Sequence, residues 1–197
     1  MLIPGSQLID TPVMSLQTGG EIARTVRAIV NPDNLYIVAF ELGGKSLDYH
    51  PSFLRVEDIR ELGEMGMIID NSDEFVGLGD IITLKNIYES GFNIDGLKVV
   101  DEDNNRMGKV SGTVINPSTF IVQQLNVKRP LLKSLGDTEI LIHRSQIVDV
   151  DNSRVVVRNP TVKAYDEHKK AKYSYVNPFG KSSSQPESSP ARMTTQD

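Results

Sequence analysis

The residues of this chain predict an all-β protein: two tandem small antiparallel barrels packed together, followed by a disordered C-terminal tail. Three observations predict it. The stretch VRAIVNPDNLYIVAF (26–40) is written again as SGTVINPSTFIVQQL (111–125), 85 positions later. Both copies sit among short β-branched and aliphatic runs broken by Gly, Asn and Pro, which is the pattern of strands and turns. Residues 164–197, in contrast, are rich in Ser, Pro, Lys and Gln and poor in aliphatics. Such a segment cannot repay its ordering entropy by burial.

The elements follow in order. Asn31 and Asn116 are placed to hydrogen-bond the backbone two residues on, and Pro32 and Pro117 hold φ at the second position of a type I turn. Each Asn-Pro is therefore expected to close a hairpin. Around it, strands are expected near 13–16, 21–30, 35–42, 53–56 and 66–70 in the first copy. Their counterparts fall near 97–101, 106–115, 120–127, 139–143 and 154–158. Gly19-Gly20 and Asn104-Asn105 accept positive φ at low cost and turn the first hairpin of each copy. Three strands in sequence then make a meander. Beyond it the repeat continues at an offset of 88, where Leu54 meets Ile142 and Ile59 meets Ile147; the slip falls in a loop, where insertions are tolerated.

Five strands in so few residues imply a sheet curled so that few edges stay open. A domain of this size buries only about 60 % of its unfolded surface, so the two copies are expected to pack on each other. Val56, Ile59 and Leu62 allow one short helical turn. Residues 78–92, LGDIITLKNIYESGF, are too apolar for a free linker and are expected to pack between the copies as a short strand or helical turn. The expected division is 1–77 for the first barrel, 78–92 for a packed connector, 93–163 for the second barrel and 164–197 for the tail.

The stretches GLKVVDEDNNRMGKVSGTVINPSTFIVQQLNV (96–127) and ILIHRSQIVDVDNSRVVVRN (140–159) strongly resemble the PRC-barrel domain. PVMSLQTGGEIARTVRAIVNPDNLYIVAFEL, followed by LRVEDIREL, resembles it more loosely. The family is named for the barrel of the photosynthetic reaction-centre H subunit, and a similar barrel ends a bacterial ribosome-maturation factor. The resemblance implies a small, strongly bent antiparallel barrel that docks onto other macromolecules and shares no catalytic residues. The membrane helix of the H subunit and the N-terminal domain of the maturation factor have no counterpart here, so neither of those roles is expected.

Composition narrows the chemistry. With no cysteine, disulfides, thiolate nucleophiles and Cys-based metal sites are excluded, and a reducing cytoplasm fits. The formal net charge is −5, and residues 1–77 hold five Lys/Arg against twelve Asp/Glu, which opposes a surface built to neutralise phosphates. The longest apolar run, LYIVAF, falls far short of the ~20 residues of a membrane span, so no membrane association is expected.

Motifs for catalysis are incomplete. GGKS (43–46) lacks the earlier glycine of a phosphate loop and is followed by SLDYHP, which is no helix start. DEDNN (101–105) opens like a calcium loop, but Arg106 stands where the bend needs Gly and Gly112 where a bidentate Glu is needed, so a hairpin tip is the simpler reading. His50, His143 and His168 share no metal spacing, and Ser145 near His143 lacks a nucleophile turn. No enzyme activity, cofactor, metal or small-molecule substrate is expected.

Partner-binding candidates come from the second copy and the tail. VKRPLLKS (127–134) and HRSQ (143–146) place Lys128, Arg129, Lys133 and Arg144 for a shared rim, with Leu131 and Leu132 unusually apolar for a loop. The bland alternative is a solvated loop with its leucines tucked under the barrel. Tyr173, Tyr175 and Phe179 stand among lysines, as interface anchors do. The expected function is a cytoplasmic, non-enzymatic adaptor or scaffold that binds other proteins. The alternative is a ribosome- or RNA-associated assembly factor with a ribosomal subunit as partner.

Overall fold

A computed structural model describes residues 1–45, 47–129 and 139–158, which are mostly strand, with one α-helix among the described residues. All of them belong to one compact unit, Met1–Pro160. The strands are β1 (Ile3–Pro4), β2 (Pro12–Ser15), β3 (Gly20–Val30), β4 (Ile37–Gly43), β5 (Ser52–Arg55), β6 (Glu61–Gly63), β7 (Gly66–Ile69) and β8 (Phe75–Gly77). Helix α1 (Ile82–Glu89) follows. Then come β9 (Lys98–Asp101), β10 (Arg106–Asn116), β11 (Ile121–Lys128), β12 (Glu139–His143), β13 (Ile147–Val150) and β14 (Arg154–Val157).

Two seven-stranded sheets result. The first runs β6-β7-β2-β3-β4-β5-β8 and the second β12-β11-β10-β9-β14-β13, with β1 paired to β10. Both are antiparallel except for one parallel pair each, β2 with β7 and β9 with β14. The registers coincide across the sheets. Val30 faces Ile37 as Ile115 faces Val122, and Phe40 faces Leu54 as Leu125 faces Ile142. Even the bulges correspond: the shifts at Thr25/Arg27 and Ile29/Val30 in β3 recur at Val110/Gly112 and Val114/Ile115 in β10. The extra residue of the first shift is Val26 on β3 or Ser111 on β10, and that of the second is Val38 on β4 or Gln123 on β11, so the two copies bend at equivalent places.

The Asn-Pro turns continue one residue past the four-residue turn expected, whose own closing bond, Thr119 N–H to Asn116 O (3.3 Å), is also made in the second copy. The Asn31 carboxamide accepts from Asp33 N (2.9 Å) and that of Asn116 from Ser118 N (3.0 Å), as the sequence requires. The loop then closes on the fifth residue, Leu35 N–H to Asn31 O and Phe120 N–H to Asn116 O, each 2.8 Å. Leu35 and Phe120 take φ of 55° and 50°. For residues with large side chains this left-handed backbone costs about 1–2 kcal/mol each.

Reciprocal bonding offsets that strain. Ile37 N–H donates to Phe120 O (2.9 Å) while Val122 N–H donates to Leu35 O (3.0 Å), so equivalent residues of the two turns bond to each other across a local two-fold relation. Behind this join the Phe40 and Phe120 rings meet edge to face at 6.1 Å. One continuous buried cluster runs through both sheets and includes Phe40, Leu54, Met67, Ile69, Leu125, Val127 and Val155. Phe40 is fully buried, and removing such a side chain from water stabilises by about 1.5–3 kcal/mol.

The connector forms a helix on one outer face. Leu84 of α1 is buried with Ile29, Ala39 and Phe53 of the first sheet, and Ile81, Ile87 and Tyr88 pack at the rim. Tyr88 stacks edge to face on Phe53 (5.2 Å), and the Arg27 guanidinium lies 4.7 Å above the Tyr88 ring. This apolar cluster draws on the first sheet and the connector alone, while Phe92, at the end of the connector, packs against the cluster shared by both sheets. The packed residues Ile81, Leu84, Ile87 and Tyr88 are spaced I-x-x-L-x-x-I-Y, a helical period that a strand cannot bury on one face.

Candidate interaction surface

β12 lies in the middle of the predicted partner-binding residues. Lys128 pairs with Glu139 at one end of β12, and Arg129 follows it, exposed. Arg144 stands past the other end, after His143. Four strand steps separate the two ends, roughly 13 Å. The cations therefore flank β12 and do not share the expected rim. Leu131, Leu132, Lys133, Tyr173, Tyr175 and Phe179 lie outside the described residues, as does His168.

Arg144 is placed by a capped turn. His143 Nδ1 accepts from Ser145 N (3.2 Å), and Gln146 Oε1 accepts from His143 N (2.9 Å), so both ends of the short 3-10 turn Arg144–Gln146 are tied. That use of the imidazole also explains why His143 and Ser145 stand together. The turn sets Arg144 in a cleft of about 360 Å³ whose walls are residues 32–35 of the first Asn-Pro turn and β13. Pro32, the buried Leu35, Ile147 and Val150 line it together with Asp33, Asn34 and Asp149, so that its exposed surface is mainly polar. Arg144 Nη1 is buried and finds no hydrogen-bond partner among the described residues. A buried guanidinium N–H without an acceptor costs about 1–3 kcal/mol.

Six of the other arginines are differently employed. Arg24, Arg27, Arg55, Arg60, Arg154 and Arg158 each pair with a carboxylate, from Glu21, Glu41, Asp58, Asp70, Asp151 and Glu102 respectively. Such pairs hold positive charge back from phosphates. A second cleft, about 430 Å³, runs between β3 and β10 and contains Asn126, whose Oδ1 is likewise buried without a partner among the described residues.

The incomplete motifs resolve into local structure. Asp101 is buried and its Oδ1 accepts from Asp103 N and Asn105 N (3.1 and 2.7 Å), which is the hairpin tip expected of DEDNN. Among the described residues no three His, Asp or Glu side chains cluster as metal ligands, and no helix is long and apolar enough to cross a membrane. The sequence pointed to Arg144 by its charge. The opposite wall of its cleft, residues 32–35, is far earlier in the chain and carried no local sign of that role.

Residues 87–163 match the family model of the PRC-barrel domain. No curated protein matches the chain.

Proposed function

With residues 87–163 a PRC-barrel domain, we propose that the chain is a non-enzymatic cytoplasmic adaptor in which the first sheet is a second, divergent copy of that domain and the Arg144 cleft receives a segment of another protein. The observation that carries this reading is the buried Nη1 of Arg144, without a hydrogen-bond partner among the described residues, beside a cleft lined by residues of both copies. The ligand it fits is an extended polypeptide segment that presents an apolar side chain beside a carbonyl or carboxylate acceptor. The matching registers of the two sheets support the duplication. Six arginines are already ion-paired, so a phosphate contact made by any of these six would first have to break that pair, which favours a protein over an RNA or a ribosomal subunit at those positions.

Affinity capture with the intact chain tests it, with Arg144→Ala and Val148→Asp run in parallel. A protein retained by the wild type and lost with both variants is the expected result. Capture that survives both substitutions, or retention of ribosomal RNA that weakens steeply with salt, refutes it.

A further inference from the structure

The two sheets differ at one edge. In the first, β5 is covered by β8, with Phe53 facing Val76, and Phe53 is buried beneath α1. By the shared register, Phe53 and Leu141 are equivalent, since each stands opposite the matching residue of its neighbour, Glu41 and Asn126. Leu141 nevertheless is 65 % exposed, and no described strand pairs with the outer side of β12. Natural edges are usually blunted by an outward Lys, a Pro or a bulge. β12 reads Glu-Ile-Leu-Ile-His, contains no proline and pairs with β11 without a register shift.

The direction of its free groups follows from the cap. His143 N–H is bonded to Gln146 and not to β11. In an antiparallel ladder the groups alternate, so Leu141 also turns its N–H and C=O away from β11, toward the open edge. Glu139, Leu141 and His143 share the outer face, while Ile140 and Ile142 turn inward.

This strand is complementary to itself. If two copies meet antiparallel with Leu141 opposite Leu141, then Ile140 falls opposite Ile142 and Glu139 opposite His143, twice over. Leu141 exchanges both backbone bonds with its equivalent at the two-fold axis. His143 Nδ1 accepts from Ser145 N, which leaves the ring N–H at Nε2 to donate to the facing carboxylate. The nearby charges are Lys128, cross-strand from Glu139, and Arg144, next to His143; Ser111 Oγ already donates to Glu139 Oε1 (2.9 Å).

We propose that the chain self-associates through antiparallel β12–β12 pairing, which joins the second sheets of two copies into one continuous sheet. A five-residue edge pair is a small interface, so the dimer is concentration-dependent. None of the paired residues lines the Arg144 cleft, although His143 also caps the turn that carries Arg144.

Sedimentation equilibrium of the full chain from roughly 5 to 500 µM tests it. The wild type is expected to shift from monomer to dimer in this range. Leu141→Lys, which sets like charges against each other at the two-fold axis of an exposed position, is expected to stay monomeric with an unchanged far-UV circular dichroism spectrum. Glu139→Lys and His143→Glu are each expected to stay monomeric alone and to form a heterodimer when mixed, since Lys then faces Glu and the native Glu faces His. A wild type that is monomeric throughout overturns the proposal, as does a dimer indifferent to Leu141→Lys or a mixture that fails to associate. A monomer that still captures a partner overturns the pairing and leaves the Arg144 reading standing.

Discussion

Phe53 and Leu141 occupy the same register position on their sheets, one beneath a helix and the other in solvent, which makes them a paired test of what holds the fold. Phe53→Ala removes a fully buried ring from contact with Leu84 and Tyr88. Truncating a core Phe costs about 3–5 kcal/mol in transfer and cavity energy. That range includes the edge-to-face contact, worth roughly 0.5–1.5 kcal/mol of it. Leu141→Ala removes a side chain that is 65 % exposed, so the expected cost is at most about 0.5 kcal/mol. Urea unfolding followed by far-UV circular dichroism, at protein concentrations too low for association, measures both. For a domain of this size each kcal/mol moves Tm by about 2–4 °C, so Phe53→Ala is expected to lose roughly 6–20 °C and Leu141→Ala about 2 °C or less. Equal losses at the two sites would refute the reasoning, because α1 would then contribute nothing to the burial of the first sheet.

Two further outcomes are expected. Gly66 has φ of +113°, and a Cβ there would stand 2.2 Å from Pro12 O, so Gly66→Ala should destabilise by more than about 2 kcal/mol. Gly79→Ala, with nothing within 4 Å, should be near neutral in the same urea titration. Burial holds the Glu74 carboxyl above its ordinary range, aided by the neighbouring Asp70 and Asp58 charges and opposed by the Asp70 backbone N–H, and its Oε2 is buried without a partner among the described residues. The folded state thus binds this proton more readily than the unfolded state, so ionisation at neutral pH costs stability and the cost is relieved as pH falls through the raised value. Glu74→Gln should be more stable than wild type near neutral pH, with the gap closing as pH falls to the ordinary value of 4.5. A gap that widens on acidification would contradict this.

The long strands and the Asn-Pro hairpins were legible because each repeats a periodic apolar run and a turn with a stated mechanism; β3, β4, β10 and β11 lie within two residues of their expected bounds. β6 and β8, at three residues each, were not. Three residues contain no period to read, and these strands exist because an edge is available to pair with. The two-residue β1 was hidden for the same reason, since its partner Ile115 is distant in the chain. Arg144 was visible as a cation, yet its meaning depends on residues 32–35, which tertiary packing alone brings near. Lys128 and Arg144 looked like one patch because their loops are close in sequence, but the strand between them holds them apart.

The reciprocal bonds between Leu35 and Val122 and between Ile37 and Phe120, with β1 on β10, bind residues of the first copy to residues made much later. During translation the leading segment therefore emerges with its strained backbone at Leu35 and its Ile3–Pro4 arm unmatched, and it waits for the second Asn-Pro hairpin before it can close. Premature termination anywhere before that hairpin yields a nascent chain with an apolar seam laid bare, a substrate for proteolysis and not a smaller working copy.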